Sequence, residues 1–449
     1  MNRETGYFGE KNYYYINEKT GSNDLKKLVL ENGFKDFSPE GISSFFYFRY
    51  PIKSFTMFSD IKQLDSKCKL KSNGEIKYLW KPNFEIKNFD INKNMEEIER
   101  LLLESLNKVI GNKKVIGVTL SGGVDSSLIV ALIKKCYPDK TLYTYSCGFY
   151  GDDEFEYSRK VAKLFSDKHT EIVLGKDDFI GESSIIKSLI KNKMAPLHPN
   201  ELPLAIIEEK AKLDLCDIVL CGEGADDIFG GYGKNLRFPF SYSGEKERFY
   251  KEFLERYVYF SEEEVKKLIK SDYYIGYNDL VENVFFENEC PENLEDKILY
   301  FIQRVHTRGL IERGRNALNY NGFTNGFPFI DENLVEYVNH IPFEQKIAWK
   351  KEINLEELKN VKEISEVYDI PKYLLKKIAE KYLPKDIIYR QKKGFPVPFD
   401  KWLQNLNEYP LDKNIFKTQD ISFLNGWKKY MVINLNYFIE ILNRYKIKN

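Results

Sequence analysis

Apolar runs and helical repeats alternate through the middle of the chain. The run at 115–120 predicts a buried strand, and apolar residues at helical spacing over 89–110 predict a helix before it. The same alternation continues, with strands predicted at 141–147, 169–174 and 216–220 and a helix at 154–165. This order predicts an α/β fold, a parallel sheet with helices on both faces, in which ligands bind at the carboxyl ends of the strands.

The two ends of the chain show other patterns. Short apolar stretches before residue 89, including 13–16 and 45–48, predict a small β-rich unit. Later in the chain the spacing is mainly helical, up to a last predicted helix at 427–442. We therefore expect a β-rich unit at 1–88 and a larger domain at 89–449, made of an α/β core at 89–245 and a mainly helical C-terminal lobe at 246–449.

Composition narrows the class of protein. The chain has 449 residues, 43% of them hydrophobic, with 68 Lys and Arg against 68 Asp and Glu. Balanced charge argues against nonspecific nucleic-acid binding, which needs clustered cations. No apolar run approaches the roughly 20 residues of a membrane-spanning helix, and no signal peptide is evident, so we expect a cytoplasmic protein without membrane contact. The six cysteines lack zinc-ligand spacing and are expected to be reduced thiols.

One glycine-rich loop, here called the first loop, follows the strand predicted at 115–120. It reads Leu120, Ser121, Gly122, Gly123, Val124, Asp125, Ser126, Ser127 and leads into a helical pattern. Unpaired N–H groups at a helix start bind anions, and glycines let a phosphate approach the backbone. The lysine of the GxxxxGK[ST] pattern is absent, and a carboxylate beside a polyphosphate needs a divalent cation between them. The loop therefore predicts a Mg²⁺-pyrophosphate site, although ordinary strand-to-helix connections also contain such residues.

A second loop follows the strand predicted at 216–220. It reads Cys221, Gly222, Glu223, Gly224, Ala225, Asp226, Asp227. Carboxylates interleaved with glycines at a strand end can supply a second Mg²⁺ ligand. The alternative is a solvated acidic turn.

A third segment, 383–395, contains Lys392 in a polar loop. A cation there can stabilise the charge that builds on an α-phosphate as pyrophosphate leaves. The alternative is a solvated lysine without a role in chemistry.

The three segments together resemble a known family. The first loop resembles the PP-loop of the ATP pyrophosphatases, the second resembles the GEGxDExFGGY loop of the asparagine synthetase family, and 383–395 is similar to that family's LPxx…RxKxGF segment. The resemblance covers nearly the whole chain. It implies an ATP-dependent, AMP-forming amide ligase, which adenylates a substrate carboxylate with release of pyrophosphate before an amine or ammonia forms the amide.

The resemblance also implies roles for single residues. ATP and Mg²⁺ are the expected cofactors, with the metal held by Asp125 and Asp226. Lys392 is expected to stabilise the adenylate, and Glu223 to take a proton from the attacking amine. The ATP-binding positions implied are Leu120, Ser121, Gly122, Gly123, Val124, Asp125, Ser126, Ser127, Cys147, Gly148, Cys221 and Gly222.

The N-terminal region departs from the family pattern. Full-length members carry a glutaminase whose nucleophilic cysteine follows the initiator methionine, where this sequence has Asn2. Residues 6–14 resemble a segment late in that domain, so 1–88 is expected to be a truncated, inactive remnant. Nitrogen would then come from free ammonia, from a separate glutaminase or from an amine on the substrate.

The segment expected to contact the substrate also departs from the family pattern. The family's EARVPFLD segment reads TNGFPFID at 324–331, with the loss of a carboxylate and an arginine. Because a zwitterionic amino acid needs both charges matched, free aspartate is less expected than another small-molecule carboxylate. Two other functions stay open, adenylation-dependent sulfur insertion and a non-catalytic nucleotide-binding subunit.

Overall fold

The N-terminal region of the computed structural model combines short strands with two helices. The structure describes residues 3–151, 153–180, 184–324, 326–350, 366, 368–391, 395 and 397–447. The N-terminal strands are β1 (Tyr14–Tyr15), β2 (Gly21–Ser22), β3 (Lys62–Gln63), β4 (Cys68–Leu70) and β5 (Ile76–Tyr78), and the helices are α1 (Leu25–Asn32) and α2 (Pro39–Phe48). The strands pair antiparallel in the orders β2-β1-β3 and β4-β5.

Residues 45–48, which the sequence pattern predicts as a strand, form the end of α2, so that prediction was wrong. Ser38 accepts a hydrogen bond from the backbone N–H of Gly41, and Pro39 occupies the first helical turn. Both features favour a helix start. Phe45 to Phe48 are all buried, and a run that is apolar on every side fits a buried helix as well as a buried strand.

A four-stranded parallel sheet forms the centre of the α/β core, as predicted. Its strands are β6 (Val115–Thr119), β7 (Thr141–Phe149), β8 (Lys168–Leu174) and β9 (Ile218–Leu220), in the order β8-β7-β6-β9. Its helices are α3 (Ile91–Ile110), α4 (Val124–Cys136), α5 (Phe155–Phe165), α6 (Lys176–Phe179), α7 (Ser184–Lys193) and α8 (Glu201–Leu213). The chain runs outward from β6 to β8 and returns to the other side of β6 at β9. This reversal of strand order leaves a crevice at the carboxyl ends of β6 and β9, where open α/β sheets bind ligands.

The rest of the chain is mainly helical. Its α-helices are α9 (Ala225–Phe229), α10 (Gly233–Leu236), α11 (Phe238–Ser241), α12 (Phe249–Tyr257), α13 (Glu262–Leu268), α14 (Tyr277–Val281), α15 (Leu294–Phe301), α16 (Thr307–Asn321), α17 (Glu332–Asn339), α18 (Phe343–Lys346), α19 (Tyr373–Ala379), α20 (Lys385–Ile388), α21 (Phe399–Trp402) and α22 (Gly426–Leu442). A π-helical turn, Ile302–His306, joins α15 to α16, and 3-10 turns lie at Lys246–Arg248, Ser271–Tyr273, Glu282–Phe286, Pro328–Ile330 and Asn443–Tyr445. Strands β10 (Ile347–Trp349) and β11 (Asp369–Pro371) pair antiparallel.

Two large apolar cores hold these parts together. One surrounds the parallel sheet, and the other joins the N-terminal region to the helical part of the chain. Phe46 of α2 packs against Phe260 with ring centroids 5.0 Å apart, and Phe37 and Phe58 pack against Phe438 of α22. The N-terminal region therefore shares a core with the helices. Within the described ranges, no helix is both long enough and apolar enough to cross a membrane.

Phe46 offers a test of this shared core. Phe46→Ala should lower the stability by about 3–5 kcal/mol because the cavity it leaves is fully buried. For a chain of this length that loss corresponds to roughly 3–5 °C in Tm, given about 2.1 cal/mol/K of unfolding entropy per residue. Differential scanning calorimetry measures the shift. Phe89, which is 71% exposed, is the control, and equal Tm values for Phe46→Ala and Phe89→Ala would refute the shared core.

The second loop is anchored by a buried carboxyl group at the start of α9. Asp227 is fully buried, and its Oδ1 accepts a hydrogen bond from the Thr307 hydroxyl at 2.8 Å. The Tyr232 hydroxyl donates to Oδ2 at 3.3 Å. Burial raises the pKa of Asp227 from 3.8 to about 7. The protonated form therefore predominates in the folded protein below neutral pH.

Asp227 should make stability fall as pH rises. Its folded pKa lies above its unfolded pKa, so its stabilising contribution is complete below about pH 4 and is lost as pH rises through 7. Asp227→Asn keeps an acceptor for Thr307 and removes the titration. Between pH 5 and 8 the wild type should lose about 3 kcal/mol relative to the variant, at about 1.4 kcal/mol per pH unit below pH 7. Denaturation curves at several pH values measure this, and a difference that stays constant with pH would contradict it.

Candidate active site

The first loop connects β6 to α4 at the carboxyl edge of the sheet. Gly122 has φ +70°, and a Cβ there would lie 2.6 Å from the Cβ of Tyr157, so only glycine fits. Gly123 is the N-cap of α4 and no side chain caps the helix, which leaves backbone N–H groups of its first turn for a ligand. The hydroxyl oxygens of Ser121 and Ser126 are 3.2 Å apart and fix the loop from within.

The second loop lies directly against the first. A Cβ on Gly222 would lie 3.1 Å from the backbone nitrogen of Ser126 and 3.2 Å from the Cβ of Asp125, so a side chain there would require the loops to move by a few tenths of an ångström. The backbone N–H of Cys221 donates to the carbonyl of Gly326 at 2.7 Å, which fixes the start of the second loop. The two acidic loops therefore share one side of the crevice.

A lysine that sequence analysis missed joins the two loops. Lys372 Nζ lies 2.6 Å from Asp125 Oδ2 and 2.9 Å from Asp226 Oδ1. Its side chain is buried, and it directly follows β11, which places it at the crevice. Burial alone would lower the pKa of Lys372, but Asp125 and then Asp226 outweigh it and raise the pKa above its ordinary value. One ammonium group thus bridges the two carboxylates that the sequence predicts as metal ligands.

An ion pair occupies the other side of the second loop. The guanidinium of Arg313, on α16, donates a hydrogen bond to Oε1 of Glu223, and its Nη1 lies 3.3 Å from His198 Nδ1. Burial would lower the pKa of Arg313, but Glu223 raises it above its ordinary value. Glu223, predicted as a proton acceptor, is therefore held in place by a fixed cation.

The third segment reaches the first loop through Arg390. Its Nε donates to the carbonyl of Gly122 at 2.9 Å, and its Nη1 lies 2.6 Å from Glu154 Oε1. These contacts brace the glycine turn from outside. Lys392, the predicted adenylate lysine, lies outside the described residues. Its segment was recognised from the sequence, whereas Arg390 within it was not singled out.

An open cavity of about 740 Å³ lies above these loops. Most of the predicted site residues line it, namely Leu120, Ser121, Gly123, Val124, Asp125, Ser126, Cys147, Gly148, Cys221, Gly222, Glu223 and Asp226. Ser127 is fully buried beneath the loop, and Gly122 faces Tyr157 rather than the cavity. The same cavity is also lined by a group of residues here called the aromatic end: Arg49, Lys234, Arg256, Tyr257, Tyr259 and His306.

The cysteines near the cavity are protonated thiols. All six cysteines are free, and Cys147 and Cys221 line the cavity. Burial raises the pKa of each of these two thiols to about 12. At neutral pH neither is a thiolate, so neither is a strong nucleophile.

The sequence is similar to a known family and to known proteins. The asparagine synthase family model matches residues 97–426. Asparagine synthetase [glutamine-hydrolyzing] 1 of Bacillus subtilis (strain 168) is 26% identical over 445 residues, which cover 90% of this chain and 66% of that protein. The putative asparagine synthetase [glutamine-hydrolyzing] 1 of Methanocaldococcus jannaschii is 28% identical over 362 residues, covering 75% of this chain and 58% of that protein.

The solved structures share less with the chain. NMN synthetase from Francisella tularensis is 14% identical with a TM-score of 0.26, and the match covers 50% of this chain and 97% of that chain. The chain spans less than two thirds of the length of the two asparagine synthetases named above. The asparagine synthase family model matches most of this chain. On the strength of that match, the chain belongs to the asparagine synthase family.

Proposed function

We propose that the chain is an ATP-dependent, AMP-forming amide ligase. A substrate carboxylate oxygen attacks the α-phosphorus of ATP, and the bond to the β-phosphate breaks to release pyrophosphate. An amine or ammonia then attacks the acyl carbon, and AMP leaves as the amide forms and a proton is lost. The observation that carries the proposal is the convergence of Asp125, Asp226 and the open start of α4 in one cavity.

The cavity supports a specific placement of ATP. The pyrophosphate part would lie against the first turn of α4 and the hydroxyl groups of Ser121 and Ser126, which supply donors to its oxygens. The adenosine part would lie along the neighbouring strand ends, against Leu120, Cys147, Gly148 and Cys221. Arg390 holds the glycine turn in the shape that this placement needs.

The residues present fit a magnesium ion. Carboxylate oxygens are the ligands that Mg²⁺ prefers, and it commonly uses one or two of them together with phosphate oxygens. Asp125 and Asp226 already approach one cation, the ammonium of Lys372, closely enough for both to contact it. When bound, the ion would neutralise charge on the phosphates as pyrophosphate leaves.

Three side chains would act on the reacting groups. Lys372, whose Nζ contacts both carboxylates, would donate to a phosphate oxygen of the bound nucleotide. Glu223 would accept the proton of the attacking amine, and the hydrogen bond from the Arg313 guanidinium holds its carboxylate in place. Lys392 keeps its proposed role beside the adenylate.

The substrates of the reaction are also proposals. The acid would be a small molecule other than free aspartate, and the nitrogen donor would be ammonia, the product of a separate glutaminase, or an amine on the acid itself. The high pKa of the Cys147 and Cys221 thiols argues against their taking part in sulfur transfer.

Product analysis tests the proposed reaction. Incubation with ATP, Mg²⁺, ammonia and a pool of small carboxylates should give AMP and pyrophosphate, measured by ³¹P NMR. Asp125→Asn should slow this by about a hundredfold or more, because several kcal/mol of charge stabilisation are lost at about 1.4 kcal/mol per tenfold. Asp139→Asn, an exposed carboxylate in the turn between α4 and β7, is the control. ADP and phosphate as products would refute the proposal, and nucleotide binding without turnover would indicate a non-catalytic subunit.

Lys372 tests the metal site without an activity assay. Lys372→Met leaves two neighbouring carboxylates without the ammonium between them, so it should lower Tm in the absence of metal. Added Mg²⁺ should then raise Tm more in this variant than in the wild type, because the ion replaces the missing charge.

Lys428→Met is the matched control for this experiment. Lys428 also pairs with a carboxylate, Glu264, at 2.7 Å, and both side chains are partly exposed. An equal effect of Mg²⁺ on the two variants would show that the ion does not bind between Asp125 and Asp226.

A further inference from the structure

The charges that line the cavity are distributed unevenly. On the side of the two loops, the acids are matched by cations: Asp125 and Asp226 by Lys372, and Glu223 by Arg313. Glu154 and Glu366 are matched in the same way, by Arg390 and Lys376. Because Asp125 and Asp226 share one lysine, and Asp153 also lines the cavity, acids outnumber cations on this side.

The aromatic end carries cations without acids. Arg49, Arg256 and Lys234 line the cavity there, and among the described residues none of the three forms an ion pair or hydrogen bond with a carboxylate. The Arg49 Nε is buried and has no hydrogen-bond partner in the described part of the chain. A buried guanidinium N–H without a partner costs free energy that an anionic ligand would offset.

Aromatic rings, rather than acids, hold these arginines. The Arg49 guanidinium lies 4.2 Å from the centroid of the Tyr259 ring, and the Arg256 guanidinium lies 4.6 Å from that of Phe238. Such stacking fixes the plane of a guanidinium and leaves its N–H groups for a ligand at the edge. Both arginines are therefore oriented without being neutralised.

The backbone conformation of Arg49 is also unusual. Arg49 is the C-cap of α2 and has φ 74° and ψ 5°, a left-handed conformation that favours glycine. A residue other than glycine pays roughly 1–2 kcal/mol there. Strain of this kind persists where a side chain is needed in one place, and it clusters at binding sites.

The two parts of the cavity are continuous. Glu223 of the second loop pairs with Arg313, and burial, followed by Arg49 and then Arg313, holds the pKa of His306 well below its usual range. His306 is therefore neutral, and the Tyr257 hydroxyl lies in hydrogen-bond contact with its Nδ1. Asp226, Glu223, Arg313 and Arg49 line this one cavity, and Asp226, Arg313 and Arg49 all act on His306, so a molecule bound beside the second loop lies near Arg49.

We propose that the carboxylate substrate carries a second anionic group, a phosphate or a further carboxylate, which Arg49 and Arg256 bind at the aromatic end of the cavity. The inference rests on the proposed function, because it takes the reacting carboxylate to lie beside the two loops. Arg49, from the N-terminal region, thus becomes a specificity-determining residue for a site otherwise built by the rest of the chain.

The experiment separates the two parts of the cavity. The protein is first saturated with Mg²⁺ and a non-hydrolysable ATP analogue, so that the phosphate site beside the first loop is filled. Inorganic phosphate or succinate is then titrated at constant ionic strength, and binding is followed by calorimetry and by the rise in Tm. We expect saturable binding of at least one of these anions to the wild type.

Variants then assign the binding to Arg49. Arg49→Gln should weaken the binding by about tenfold or more, because a charge-assisted hydrogen bond is lost, and Arg49→Lys should recover part of it. Arg256→Gln is a second variant at an exposed position, which covers the case in which Arg49→Gln does not fold. The control is Arg444→Gln, since Arg444 also stacks on a tyrosine, Tyr445 at 4.9 Å, but does not line the cavity.

The measured affinities distinguish the possible substrates and test the inference. Tighter binding of phosphate than of succinate identifies a phosphorylated acid, and the reverse identifies an acid with two or more carboxylates. If the nucleotide analogue binds but neither anion does, or if Arg49→Gln and Arg256→Gln both bind the anion as the wild type does, the inference is wrong while the proposed function stands. If the nucleotide analogue does not bind to the wild type, the proposed function fails, and the inference fails with it.

Discussion

The bridge from Lys372 to Asp125 and Asp226 is the interaction on which the site depends. Two carboxylates on neighbouring loops repel each other at short range, and burial increases that repulsion. The ammonium, 2.6 and 2.9 Å from the two oxygens, lets both loops close over the same crevice. It also holds the two carboxylates together in the crevice where we propose that a metal and a diphosphate bind.

The strand order of the sheet brings the two loops together independently of their side chains. Because β6 and β9 are neighbours although far apart in the sequence, their carboxyl ends deliver the first and second loops to one edge. Glycine then decides how near the loops come, since a Cβ on Gly222 would lie 3.2 Å from that of Asp125. Backbone topology and the absence of a side chain thus place the acids, and Lys372 compensates them.

Local features and the parallel sheet were predictable from the sequence, whereas the contacts of Lys372 and Arg49 were not. The glycine turn and the start of α4 follow from neighbouring residues, so the strand, the turn and the helix were all predicted and confirmed. Lys372 and Arg49 carry no local signal, because their partners lie more than 140 residues away along the chain. Residues 45–48 were predicted as a strand because an uninterrupted apolar run fits two kinds of buried element, and the cap at Ser38 was overlooked.

If the two acidic loops and the start of α4 form one site for a metal-bound diphosphate, the protein should bind pyrophosphate together with Mg²⁺. Calorimetric titration of inorganic pyrophosphate into the ligand-free protein, with and without Mg²⁺, measures this binding. We expect one binding site per chain whose affinity rises strongly when Mg²⁺ is present, because Asp125 and Asp226 repel the free anion. Pyrophosphate binding that is absent, or equally strong without the metal, would contradict it.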